Sequence, residues 1–169
     1  DEGQGWAIAM TTLMFERGAA EGSARERATA LIEQLKRLVT AARESRRDGR
    51  PAIDDPVLRD RIVKLWFEAH AIGLSATRGT VAALSSERPM ALPLMNKLVS
   101  SEYNQRLAEL ACELLGPDQS SWLGDPNAPF GGEWPRAFLN SFGMTIGGGT
   151  SEIQRNIIGE RVLGLPKSK

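Results

Sequence analysis

Apolar positions recur at helical spacing in three long runs along this chain. From about Gln4 to Arg47 the pattern is helical, interrupted only by Gly18 and Gly22. Within it Ala28, Leu31, Leu35, Leu38 and Ala42 make an i, i+3, i+4, i+7 stripe with charges opposite. A straight rod of that length would reach roughly 60 Å, so a bend is expected near the glycines. Asp48-Gly49-Arg50-Pro51 breaks the pattern. A second helix is predicted from about Asp55 to Ser86, with Pro56 in its first turn and Leu58, Ile62, Leu65, Ala69, Ile72 and Ala76 on one face. Glu87-Arg88-Pro89 closes it. The third helix runs from about Leu92 to Leu115 and meets Gly116-Pro117, the usual order of stop signals. Residues 117–133 read as a long loop and 133–142 as a short helix. No period-2 strand and no internal repeat is found. The expected fold is all-α, a single domain over residues 1–169 built as an antiparallel four-helix bundle.

Composition narrows the function without naming it. Lys plus Arg equals Asp plus Glu at 21 each, so no net field draws the chain to nucleic acid. No run of about eighteen apolar residues is present, so no membrane span is expected. The single cysteine, Cys112, fits a reducing, cytoplasmic setting and lies on an apolar stripe, where a buried structural thiol is expected. The lone His70 has no Cys or His partners, so no metal site is expected. The four tryptophans are scattered and read as packing residues. The chain opens on Asp1-Glu2-Gly3, without Met, and reads as a piece of a longer protein.

The chemistry-bearing stretch is near the end: Thr145-Ile146-Gly147-Gly148-Gly149-Thr150-Ser151-Glu152-Ile153-Gln154-Arg155-Asn156-Ile157-Ile158. Three successive glycines permit φ > 0 and bring no side chain between backbone and ligand. Ser151 and Gln154 have capping-box spacing, which predicts a helix start there. A glycine turn feeding a helix N-terminus suits a nucleotide or a thioester, and it also occurs as an ordinary loop before a helix. The longer string, continuing to Arg161-Val162-Leu163-Gly164-Leu165-Pro166, resembles the C-terminal signature of the acyl-CoA dehydrogenase family. A second segment, Gly5-Trp6-Ala7-Ile8-Ala9-Met10-Thr11-Thr12-Leu13-Met14-Phe15-Glu16-Arg17-Gly18, is similar to the opening helix of that family's C-terminal domain.

The resemblance implies α,β-dehydrogenation of an acyl-CoA thioester with FAD as hydride acceptor, in fatty acid β-oxidation or a related lipid pathway. It implies a dimer or tetramer, homo- or hetero-oligomeric, with an electron-transfer flavoprotein as electron acceptor. Many members place the catalytic glutamate just before the Gly-Thr of the signature, and here that position is Gly148. Others carry it on the opening helix before an arginine, the position of Glu16. From spacing alone, a surface carboxylate beside Glu2, paired with Arg17 or Arg25, is the favoured reading of Glu16. With Gly148 vacant, the resemblance assigns Glu16 the role of base. It also assigns Arg17, Leu13, Gly148 and Gly149 to the substrate side, and Arg43, Thr150, Glu152 and Gln154 to FAD.

Two departures stand beside the match. Arg43 is followed by Glu44-Ser45-Arg46-Arg47 where the family shows Arg-x-x-Phe-Gly, and these arginines read equally as a solvated helix end. Glu113-Leu114-Leu115-Gly116-Pro117 stands where relatives show Gln-x-x-Gly-Gly against a neighbour's FAD. Two alternatives follow: a non-catalytic partner subunit in a hetero-oligomeric dehydrogenase, or a flavin-dependent oxidase of the same fold. Bulky or branched acyl groups, steroid side chains among them, fall within the substrates the resemblance allows.

Overall fold

The computed structural model describes residues 3–18, 21–85 and 91–167, with the side chains of 13–18, 21–23 and 85 outside the description. The predicted close of the second helix at Glu87-Arg88-Pro89 therefore lies outside the described residues. The order is α1 (Gly5–Gly18), α2 (Glu21–Glu44), a hairpin of β1 (Arg46–Arg47) and β2 (Arg50–Pro51), and α3 (Pro56–Arg78). Then come α4 (Ala82–Ser85), α5 (Ala91–Leu115), α6 (Glu133–Ile146) and α7 (Ser151–Ile157). The long first run is helical over Gly5–Gly18 and Glu21–Glu44, and the bend expected near the glycines falls at residues 19–20, outside the described residues.

The bundle is α2, α3, α5 and α6, with α2 packed on α3 and α5, and α6 on α5. Its core is the predicted pattern made solid. Leu31, Leu35 and Leu38 of α2 meet Leu58, Ile62, Leu65 and Ile72 of α3 and Tyr103, Leu107 and Leu110 of α5, all buried. Each such side chain removed from water contributes on the order of 1.5–3 kcal/mol, so this seam outweighs the bundle's exposed ion pairs. Buried Asn104 of α5 ties α6 in by donating Nδ2–H to Met144 Sδ at 3.1 Å.

Four local predictions are corrected. The break after α2 is a true hairpin, with Arg46 opposite Pro51 and Arg47 opposite Arg50. Asp48 (φ 51°) and Gly49 (φ 77°) both take the left-handed conformation that a two-residue hairpin turn needs. Two-residue strands are too short to show alternation in sequence. Helix α3 stops at Arg78 rather than Ser86, because Gly79 weakens the helix and Thr80 Oγ1–H takes the Thr77 carbonyl at 2.8 Å. Helix α6 runs four residues past the predicted Phe142, since only Gly147 ends it. Of the tryptophans, Trp134 is core, whereas Trp6, Trp66 and Trp122 are exposed.

The long loop after α5 folds into two short 3-10 turns, 116–120 and 129–132. A Cβ at Gly132 would meet the Trp122 carbonyl carbon at 2.5 Å, so the loop can close on itself only with glycine there. Helix α7 passes without a break into a π-helical turn, Ile158–Val162.

Candidate functional site

The three glycines form a corner between α6 and α7. Gly147 N–H closes the end of α6 on Gly143 O at 2.8 Å. Gly148 (φ 68°) and Gly149 (φ 103°) then turn the chain through conformations that L side chains rarely adopt. The helix start falls one residue earlier than the Ser151 capping box predicts. Thr150 is the N-cap, its Oγ1 accepting from Ile153 N–H at 3.3 Å, while Ser151 is already helical and buried. Either hydroxyl can cap; the turn at Gly149 decides which residue is extended.

Two side chains hold the corner from inside. Gln154 of α7 is wholly buried and donates Nε2–H to Gly148 O at 2.8 Å. Its Oε1 is buried without a hydrogen-bond partner. From α5, half-buried Lys97 donates through Nζ to Gly149 O at 2.6 Å and reaches Thr145 O at 3.5 Å. Sequence reading passed over Lys97 as part of this corner. The available signal was its isolation, as the only Lys or Arg between Ala91 and Gln105.

On the outer side, Thr150 is half-buried and Glu152 is exposed. The Glu152 carboxyl is held below the ordinary glutamate range, first by its own backbone N–H, then by the Thr150 hydroxyl, with Arg155 adding to both against a small desolvation. Arg155 in turn pairs with Glu102 of α5 at 2.7 Å, which anchors α7 on the bundle. Among the described residues, a Cβ built at Gly148 would meet only Lys97 Cε, at 3.9 Å.

The remaining predicted residues fall elsewhere. The side chains of Leu13, Glu16 and Arg17 lie outside the described residues; their backbone belongs to α1, which packs on α5, as α7 does. Arg43 is exposed in the last turn of α2, next to the hairpin. The open hollow of about 400 Å³ at that hairpin is lined by Arg47 and Arg50 but also by Asp48, Asp54 and Asp55, a mixed rather than cationic surface. Cys112 is buried, and burial pushes its thiol up, as for an inert core cysteine. His70 stacks on Trp66 at 4.0 Å between ring centroids, with Nδ1 2.8 Å from Trp66 O. No helix among the described residues is long and apolar enough to cross a membrane.

Both ends of this layout, the opening helix and the glycine corner, fall within one match: the family described as acyl-CoA dehydrogenase, C-terminal domain, fits residues 3–163. The chain belongs to the acyl-CoA dehydrogenase family. Among curated relatives it is 36% identical over 165 residues to acyl-CoA dehydrogenase IpdE1 of Mycobacterium tuberculosis, covering 98% of this chain and 39% of that one. The chain spans about two fifths of the length of the curated relatives it matches first. Its fold is similar to that in the FAD complex of PigA, with TM-score 0.72, 23% identity, and 98% of this chain and 40% of that one covered. It is also similar to the ChsE4-ChsE5 complex from Mycobacterium tuberculosis, with TM-score 0.69, 24% identity, and 84% and 36% covered.

Against the acyl-CoA dehydrogenase pattern, the departure at Glu113 has a local explanation. Its carboxylate pairs with Arg61 of α3 at 2.6 Å, and Gly116-Pro117 opens a 3-10 turn directly after α5. A carboxylate so engaged offers no N–H donor to a diphosphate.

Proposed function

We propose that the full-length protein carrying this chain is an FAD-dependent acyl-CoA dehydrogenase, with this domain supplying the base and one wall of the reaction cavity. The observation that carries the reading is the glycine corner. Gly148 and Gly149 are turned into left-handed backbone, and among the described residues a Cβ at Gly148 would meet only Lys97 Cε at 3.9 Å, with Thr150 and Glu152 at the rim. That cradle fits a flat, close-approaching group such as a flavin edge or a thioester. The FAD-bound neighbour PigA is in keeping with this, as a statement about that protein.

In this reading Thr150, Glu152 and, from a neighbouring subunit's site, Arg43 hold FAD, which when bound accepts the hydride that no side chain can take. Gln154 acts from behind, shaping the corner. Gly148 and Gly149 let the thioester approach the backbone, with Leu13 and Arg17 on the substrate side. Glu16 takes the proton from the α carbon. A carboxylate does this best when desolvation raises its pKa toward working pH, and the apolar neighbours Leu13, Met14 and Phe15 in sequence suit that. An electron-transfer flavoprotein is the proposed acceptor.

The test is Glu16→Gln in the full-length protein, purified with any partner chain and assayed with a bulky, steroid-type acyl-CoA as well as a straight-chain one. Loss of a general base lowers the rate by about 10²–10⁴-fold. Flavin bleaching and α-proton exchange near wild-type rates would remove Glu16 from the mechanism. Oxygen uptake during turnover would favour the oxidase alternative.

The Arg61–Glu113 pair favours a second arrangement, in which the active assembly is a hetero-oligomer and partner chains divide the flavin contacts. Copurification of a second chain, with flavin bound only by the pair, is the outcome that supports it.

A further inference from the structure

The carbonyl groups of the glycine corner are turned inward with unusual completeness. Gly148 O accepts from Gln154 Nε2, Gly149 O from Lys97 Nζ, and Thr150 O from Gln154 N–H. A trans peptide unit sets its C=O and N–H in opposite directions. Fixing the Gly149 carbonyl on Lys97 therefore fixes the Thr150 N–H pointing away from α5. On either side of this peptide, Gly149 N–H donates to Ile146 O at 3.2 Å and Thr150 O accepts from Gln154 N–H at 2.9 Å, but the Gly149 carbonyl itself is held by Lys97, and Gly149 at φ 103° lacks the Cβ that limits other residues. The bond is charge-assisted and comes from a helix of the bundle core, so it couples the corner to a rigid element.

We propose that Lys97 is a positioning residue: its ammonium locks the Gly149–Thr150 peptide so that the donor side of the corner faces the bound thioester and flavin. This rests on the reading that the corner is one wall of the reaction cavity. Lys97 touches neither reacting atom in that reading; it acts through the backbone it holds. Methionine at this position keeps an aliphatic stem beside Gly148 and removes the ammonium, both its donor and its charge. Arginine keeps the charge and the reach.

The experiment compares wild type, Lys97→Met and Lys97→Arg in the full-length protein. Two readouts are taken: amide hydrogen exchange of residues 145–152 against 103–115, and the rate of flavin reduction at saturating acyl-CoA. In Lys97→Met, exchange in 145–152 rises at least tenfold while 103–115 keeps its protection. Reduction falls at least about tenfold with KM changed far less, as expected when reacting groups are displaced rather than binding lost. Lys97→Arg recovers most of both. Unchanged exchange in 145–152, a reduction rate within twofold of wild type, or loosening of the whole bundle in Lys97→Met would each overturn the proposal. If wild type itself reduces no flavin with any thioester, the proposed function fails, and the exchange data alone decide whether Lys97 holds the corner.

Discussion

Gln154 donates to the carbonyl oxygen of Gly148 at 2.8 Å from a side chain with no exposure to solvent. The amide thus spans the mouth of α7 and closes the glycine turn from below. Deleting the donor removes a hydrogen bond from a partly buried carbonyl, a net loss of about 0.5–1.5 kcal/mol. Gln154→Leu should lower unfolding stability by that amount while affecting flavin affinity mainly through the loosened corner. A denaturation midpoint unchanged at constant m, with flavin affinity lost, would make Gln154 a direct ligand contact instead.

The Thr150 hydroxyl accepts from Ile153 N–H at 3.3 Å and also helps hold the neighbouring Glu152 carboxyl below its ordinary range. Because the folded pKa of Glu152 is depressed, its contribution to stability is present above the unfolded glutamate value and fades as pH falls through the lower, folded one. The group is fully exposed, so the local titration is a better readout than global stability. In Thr150→Val the Glu152 carboxyl resonance should titrate at higher pH than in wild type, though still below an ordinary glutamate because its own N–H remains. An unshifted titration would show that the hydroxyl plays no part.

What could be read from the sequence was what depends on neighbours in sequence. The stripes Leu31-Leu35-Leu38 and Leu58-Ile62-Leu65 became the core because a helix brings such positions to one face whatever else the chain does. The glycine corner was visible for the same reason, three residues in a row with a helix signal behind them. Lys97 was not, since its meaning arises only when α5 is laid against residues 145–149, about fifty positions away. The choice of Thr150 over Ser151 as cap turned on the extended backbone of Thr150 (ψ 162°), which composition does not set. The hairpin at Arg46–Pro51 was lost because two-residue strands carry no period. The opening helix is α1, while the roles given to Glu16 and Arg17 rest on the sequence resemblance, their side chains lying outside the described residues.

The start of α3 offers a cleaner energetic test. Asp55 Oδ1 accepts from Val57 N–H at 2.8 Å and from Leu58 N–H at 3.3 Å, capping a helix that opens with Pro56. Its carboxylate also lies 3.8 Å from an Arg47 nitrogen, a long and exposed pair of little weight. Asp55→Ala should therefore cost about 1 kcal/mol, the usual cost of losing an N-cap. Asp55→Asn, which keeps a capping oxygen and drops the charge, should recover most of it. Equal losses in both variants would assign the effect to the ion pair with Arg47.

Tyr103 presents the reverse situation, a polar atom whose removal should do no harm. The side chain is wholly buried on α5, and its hydroxyl has no hydrogen-bond partner. Burial above all, with Glu68 adding and Arg106 opposing, pushes the phenol well above its ordinary range. A desolvated hydroxyl without a partner costs about 1–3 kcal/mol on protein scales, whereas the ring supplies the packing. Tyr103→Phe should leave stability unchanged or raise it by up to about that amount. Tyr103→Ala, which removes the ring, should cost about 3–5 kcal/mol as other large-to-small core changes do. A Tyr103→Phe variant destabilised by more than about 1 kcal/mol would mean that the hydroxyl has a partner, a bound water or a neighbouring domain, that makes it worth keeping.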